Sequence, residues 1–186
     1  MNVPWGARGA SPRDRTRPWL VAVDLQMIFA DRASAWRTPE FERAAVGTET
    51  LLPAFGDRVV RTRFVAPEHP TGAWVDYYAD WPFALVPPTD PLYDLVSPFS
   101  GLGGPVVSAT TFGKWGADLA AVVGPEAPLV LTGVSTDCCV LSTALPAADA
   151  GATVRVMADA CAGSTPENHE RALAAMGLYG PQITIV

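Results

Sequence analysis

Two adjacent cysteines, Cys138 and Cys139, follow Ser135, Thr136 and Asp137, three residues of the types that cap helix N-termini. A thiol in the first turn of a helix faces unpaired backbone N–H groups and the positive end of the helix dipole, which favour the thiolate. The chemistry of such a group is covalent attack on an electrophilic carbon, helped by a nearby base or cation. Residue type alone leaves open which of the two sulfurs acts. Asp24, directly after the apolar run Val21-Ala-Val23, is a candidate acid–base group, although a capping carboxylate would read the same way. Lys114 is the sole lysine among 13 basic residues. In a chain that otherwise uses arginine, a lone lysine fits a place that needs a compact ammonium rather than a planar fork.

For these residues to meet, strands must deliver them to one edge. Six strand-like runs, at 19–24, 58–64, 105–109, 128–132, 153–158 and 182–186, alternate with helical runs at 38–55, 117–123, 137–150 and 166–176. Leu129-Val-Leu-Thr132 is apolar without alternation, as in a strand buried on both faces. Pro39 suits the first turn of its helix, Pro146 should kink or shorten the helix at 137–150, and Gly177 closes the last. The alternation predicts a Rossmann-like, three-layer α/β/α sandwich around a six-stranded, mainly parallel sheet. Ligands bind at the carboxyl edge of such sheets, and Asp24, Lys114 and the cysteines follow the first, third and fourth strands. The segment 66–104, rich in proline and aromatic residues, reads equally well as a wall over a pocket or as an aromatic satellite core.

Composition bounds the rest. The 186 residues suit one domain over 19–186, preceded by an arginine-rich arm at 1–18 that should be mobile. With 49% apolar and 17% charged residues the chain is globular, and a net charge of −6 argues against nucleic acid as a partner. No apolar run reaches transmembrane length, and no signal-peptide core opens the chain. Three cysteines, two of them adjacent, make a poor disulfide framework, so a cytoplasmic location is expected.

The pieces Val-Asp-Leu-Gln-Met-Ile-Phe (23–29), Gly-Val-Ser-Thr-Asp-Cys-Cys-Val (133–140) and Asp-Ala-Cys-Ala (159–162) resemble the isochorismatase-like cysteine hydrolase superfamily, which includes nicotinamidases and N-carbamoylsarcosine amidohydrolase. The resemblance runs from Trp19 to the C-terminus. It implies the superfamily's hydrolase fold and a catalytic set of Asp24, Lys114 and Cys139, because the nucleophile in that pattern directly precedes Val. It also implies a cis Val134–Ser135 peptide and an oxyanion hole formed by the N–H groups of Ser135 and Cys139. Phe29 and Trp74, with Trp36, would line the substrate pocket, and the assembly would be a homodimer or homotetramer.

Two departures qualify the match. The family's lysine stands at the end of the third strand, where Ser108 and Ala109 lie here, whereas Lys114 comes several residues later. Nicotinamidases carry an Asp-x-His metal cluster after the second strand, and here Phe64 and Ala66 fill those places. His69 and His169 are too few to replace it. The expectation is therefore a hydrolase without metal or other cofactor, cleaving a C–N bond of a small amide, ureido or imide substrate through a Cys139 thioester. Two alternatives are a vinyl-ether hydrolase using Asp24 without the cysteine, and a non-catalytic binding protein on the same fold.

Overall fold

Leu20 and Ala22 face one side of β1 (Trp19–Val23), Val21 and Val23 face the other, and all four are buried. A strand covered on both faces belongs at the centre of a sheet. The computed structural model describes residues 17–186, so the arm expected at 1–18 falls almost wholly outside the described residues. Around β1 lie β2 (Val59–Phe64), β3 (Val106–Ala109), β4 (Leu129–Val134), β5 (Val154–Ala162) and β6 (Ile183–Ile185). They form one six-stranded sheet in the order β3-β2-β1-β4-β5-β6, and every pairing is parallel.

Helices cover both faces and complete the α/β/α sandwich. On one side α4 (Ala117–Val123), α5 (Leu141–Asp149) and α6 (Pro166–Gly177) pack Leu119, Ala144, Ala147 and Met176 against Val21, Leu131 and Val156. On the other side lie α1 (Met27–Ala30) and α2 (Phe41–Phe55), whose Leu51, Leu52 and Phe55 rest on Leu20, Val59 and Val130. Gly47 lets α2 approach β5 closely, because a Cβ there would lie 2.9 Å from the Ala160 Cα. No described helix is long and apolar enough to cross a membrane.

The 66–104 segment is both of the things its composition suggested. It folds into α3 (Ala73–Asp80) and three short 3-10 turns, and its aromatic residues join a core cluster with Phe29, Phe41 and Phe64. Two buried polar side chains fasten it to the sheet. Gln26 donates to the carbonyls of Phe64 (3.0 Å) and Tyr93 (2.8 Å) and accepts from the Phe64 N–H (2.8 Å). Arg61, on β2, donates to the carbonyls of Phe99, Leu102, Gly103 and Gly104. An irregular segment has no ladder to satisfy its carbonyls, and the guanidinium fork supplies the missing donors.

Two elements differ from expectation. The helix expected at 137–150 divides into a π-helical turn, Thr136–Val140, and α5, with Pro146 inside α5. β5 continues to Ala162 rather than stopping at 158, since Gly133 and Val134 pair with Cys161 and Ala162 beyond a register shift in β4. Tertiary pairing overrides the weak strand propensity of Ala-Asp-Ala-Cys-Ala.

Order reverses between β1 and β4, and their carboxyl ends flank the switch point where such sheets bind ligands. The two strands touch most closely at Gly133, whose φ is +103° and whose added Cβ would lie 2.0 Å from the Val23 carbonyl oxygen. Gly133→Ala should therefore cost at least about 3 kcal/mol. Gly101→Ala, where a Cβ meets nothing within 4 Å, should stay within about 0.5 kcal/mol. Urea unfolding of both variants checks the contrast.

Candidate active site

Asp24 leaves β1 with φ at +50°, in the left-handed region that few residues other than glycine, asparagine and aspartate tolerate. That turn aims its carboxylate under the carboxyl edge of the sheet. Thr62, on the neighbouring β2, fixes it twice: Thr62 Oγ1 donates to Asp24 Oδ1 at 2.6 Å and accepts from the Asp24 N–H at 3.2 Å. The other oxygen, Oδ2, lies 3.0 Å from Lys114 Nζ, and both side chains are completely shielded from water. This is an ion contact without hydrogen-bond alignment, and Oδ2 accepts no hydrogen bond among the described residues.

Lys114 reaches this point from beyond β3 because its loop folds back onto α5. The Lys114 N–H donates to Thr143 Oγ1 at 2.9 Å, and Thr143 Oγ1 donates to the Cys139 carbonyl at 2.7 Å. Gly113 passes directly over the Ser142 carbonyl, where a Cβ would approach to 2.3 Å. Pro146 cannot supply the N–H that would otherwise bond that carbonyl within the helix. The ammonium also donates to the Thr111 carbonyl at 2.7 Å and sits 5.1 Å from the centre of the Phe64 ring. Displacement along the sequence is thus undone by the path of the loop.

The π-helical turn carries both cysteines and is held at three points. Thr136 Oγ1 pairs with His169 Nδ1 at 2.8 Å, Asp137 accepts from the N–H and hydroxyl of Ser164, and Ser135 Oγ pairs with Thr38 Oγ1 at 3.2 Å. The Val134–Ser135 peptide is cis. Cys139 is buried and Cys138 half-buried, and both line a cavity of about 430 Å³ with Ser135, Ser164, Ala35 and Arg37. Its remaining walls are Phe29, Trp36, Phe64, Tyr77, Trp81 and Phe112. Trp74 is not among the lining residues; it stands behind them, 4.9 Å from Phe112 and 5.2 Å from Tyr77. Sequence reading missed Thr62, Thr143, Arg37 and Phe112, none of which belongs to a motif.

The two thiols differ in acidity. A hydrogen bond with Cys138 and burial push Cys139 well above the ordinary thiol value, the Asp24 charge adds to this, and Lys114 opposes it. The same sulfur–sulfur hydrogen bond lowers Cys138. Cys139 at rest is therefore a neutral thiol that needs a base at the moment it attacks. Burial pushes Cys161, in the core, up to about 12 against the lowering effects of Arg43 and the Gly133 backbone.

Two outcomes follow from this geometry. Lys114→Met leaves a buried carboxylate without its counter-charge and should cost about 3–5 kcal/mol in urea unfolding, most of it recovered when Asp24→Asn is added. Losses that simply add would contradict the pairing. Iodoacetamide at neutral pH should modify Cys138 first. Because the Cys139 thiolate fraction grows as pH rises toward its raised pKa, its labelling should accelerate with pH; peptide mass spectrometry at several pH values reads this.

The isochorismatase domain profile matches residues 18–185. A pyrazinamidase from Pyrococcus horikoshii, solved in complex with zinc, is similar at 25% identity over 91% of this chain and 98% of that one, with a TM-score of 0.72. A nicotinamidase from Bacillus subtilis is 24% identical over 92% and 99%, at a TM-score of 0.73. A cysteine hydrolase from Pseudomonas syringae pv. phaseolicola is 17% identical over 91% and 88%, at 0.78. No curated protein matches the chain. The residues here do not fit a zinc ion like that of the Pyrococcus protein: among the described residues no group of three or more His, Cys, Asp or Glu could hold a metal. Phe64 and Ala66 are buried at the end of β2, and His69 is exposed beside Glu68. With a family profile spanning nearly the whole chain and the matching fold around this pocket, the protein belongs to the isochorismatase family and is a hydrolase of that superfamily.

Proposed function

We propose that the protein is a metal-independent cysteine amidohydrolase that cleaves a C–N bond of a small amide, ureido or imide substrate through a thioester on Cys139. The observation that carries this reading is the shielded Asp24–Lys114 pair, with one carboxylate oxygen that accepts no hydrogen bond among the described residues, together with a pocket that Cys139 lines. The amidase names of the Pyrococcus and Bacillus relatives support the bond type.

Asp24 takes the thiol proton as Cys139 Sγ attacks the substrate carbonyl carbon. Lys114 offsets the thiolate charge during that transfer, while Thr62 engages Oδ1 and leaves Oδ2 free to take the proton. The N–H groups of Ser135 and Cys139 stabilise the developing oxyanion. Asp24 then passes its proton to the leaving nitrogen, the C–N bond breaks, and ammonia or an amine departs. Water, deprotonated by Asp24, attacks the thioester; the carboxylic acid leaves and Cys139 regains its proton. A neutral resting thiol suits this sequence, since the proton it gives up is the one the leaving group needs.

Ammonia release from a panel of amides and ureides tests the proposal. Cys139→Ala should lower kcat by about a thousandfold or more, while Cys138→Ala keeps activity within about tenfold. Asp24→Asn should cost about 10²–10⁴-fold, with thermal unfolding confirming that each variant is folded. Full turnover by folded Cys139→Ala would reject the thioester and favour a reaction run by Asp24 alone.

A further inference from the structure

Of the twelve residues around the cavity, Arg37 is the only arginine, lysine, aspartate or glutamate. Its Nε is shut off from solvent and has no hydrogen-bond partner among the described residues. Acids close to it in sequence or at the same site are otherwise engaged. Asp31 accepts from the Ala33 N–H, Glu40 is paired with Arg43 at 2.9 Å, and Asp137 holds Ser164. Asp24 is matched by Lys114. An arginine that served only solubility would keep its whole guanidinium in water, where every donor is satisfied. Among the described residues this buried donor meets no acceptor, although the chain's net charge of −6 offers many carboxylates.

Aromatic surfaces continue from this cation. Trp36, its chain neighbour, stacks on Phe29 at 6.3 Å and meets Phe64, Tyr77 and Trp81 with ring centres 5.6–6.1 Å away. Flat walls of this kind accept a planar ring, and a guanidinium at their margin accepts a carboxylate through paired N–H donors. The cavity volume, about 430 Å³, is that of a small-molecule site rather than a peptide groove.

We infer that Arg37 is a specificity-determining residue and that the substrate is a planar, aromatic or heteroaromatic amide bearing a carboxylate that Arg37 receives. The inference rests on the amidase reading for the amide, and on Arg37 and the aromatic walls for the carboxylate and the ring. Nothing in it requires Arg37 to touch the reacting atoms.

Two readouts test it separately from that reading. In the first, kcat/KM is compared for benzamide and for the three monoamides of benzenedicarboxylic acids, phthalamate, isophthalamate and terephthalamate. At least one monoamide should exceed benzamide by about tenfold or more, and Arg37→Gln should collapse that ratio toward one while Arg37→Lys keeps part of it. In the second, benzoate and benzamide are titrated against tryptophan fluorescence, which Trp36 and Trp81 place in the cavity wall. Benzoate should bind more tightly than benzamide in the wild type and weaken about tenfold in Arg37→Gln. If no amide is turned over but this benzoate preference holds, the amidase reading fails and the carboxylate site stands. If benzoate binds no better than benzamide, or equally well to Arg37→Gln, the inference is overturned whatever the enzyme hydrolyses.

Discussion

A carboxylate and an ammonium 3.0 Å apart, both shut off from water, set the terms for the rest of this structure. Taking either charge out of solvent alone costs several kcal/mol, so the fold must deliver the two together. Everything around them serves that delivery. Thr62 holds Asp24 through both its side chain and its backbone, Thr143 ties the Lys114 backbone to the Cys139 carbonyl, and Gly113 and Pro146 open the Ser142 carbonyl to a close-passing loop. Asp24 directly follows β1, beside the β1–β4 switch point at the carboxyl edge where such sheets bind ligands.

The pocket has a division of labour. Two thiols, six aromatic rings and one guanidinium line it together. The irregular 66–104 segment supplies Tyr77 and Trp81 to the walls, and it holds its shape because Gln26 and Arg61 satisfy backbone groups that no strand partner reaches. In the proposed reaction a buried neutral thiol and an adjacent fixed base replace the free thiolate that a helix dipole alone would favour. Burial raises the cost of ionising Cys139, and it also strengthens every interaction that Asp24 and Lys114 make with it.

Much of this was legible in the chain. Buried strands announce themselves as apolar runs, and the alternation of strands and helices carries the three-layer sheet and its functional edge. Asp24 stood out because it directly follows the first strand, and Lys114 because it is alone. What stayed hidden depends on contacts between distant segments. No local pattern marks Thr62 or Thr143, whose hydroxyls matter only once β2 and α5 lie beside their partners. Trp74 looked like a wall residue, yet it packs against Tyr77 and Phe112, which line the cavity while it does not. Arg37 is one of twelve arginines, and only its place on the cavity wall with an unpartnered buried Nε sets it apart among the described residues. The π-helical turn arises from the three anchors on Ser135, Thr136 and Asp137, which a helix propensity does not weigh.

The central claim is that the Asp24–Lys114 pair serves a covalent step on one sulfur. Acid quenching during turnover of an amide, followed by peptide fragmentation in a mass spectrometer, looks at that sulfur directly. The substrate's acyl mass should appear as a thioester on Cys139 from the first turnover onward. An acyl group on Cys138, or steady turnover with Cys139 unmodified at every time point, would contradict it.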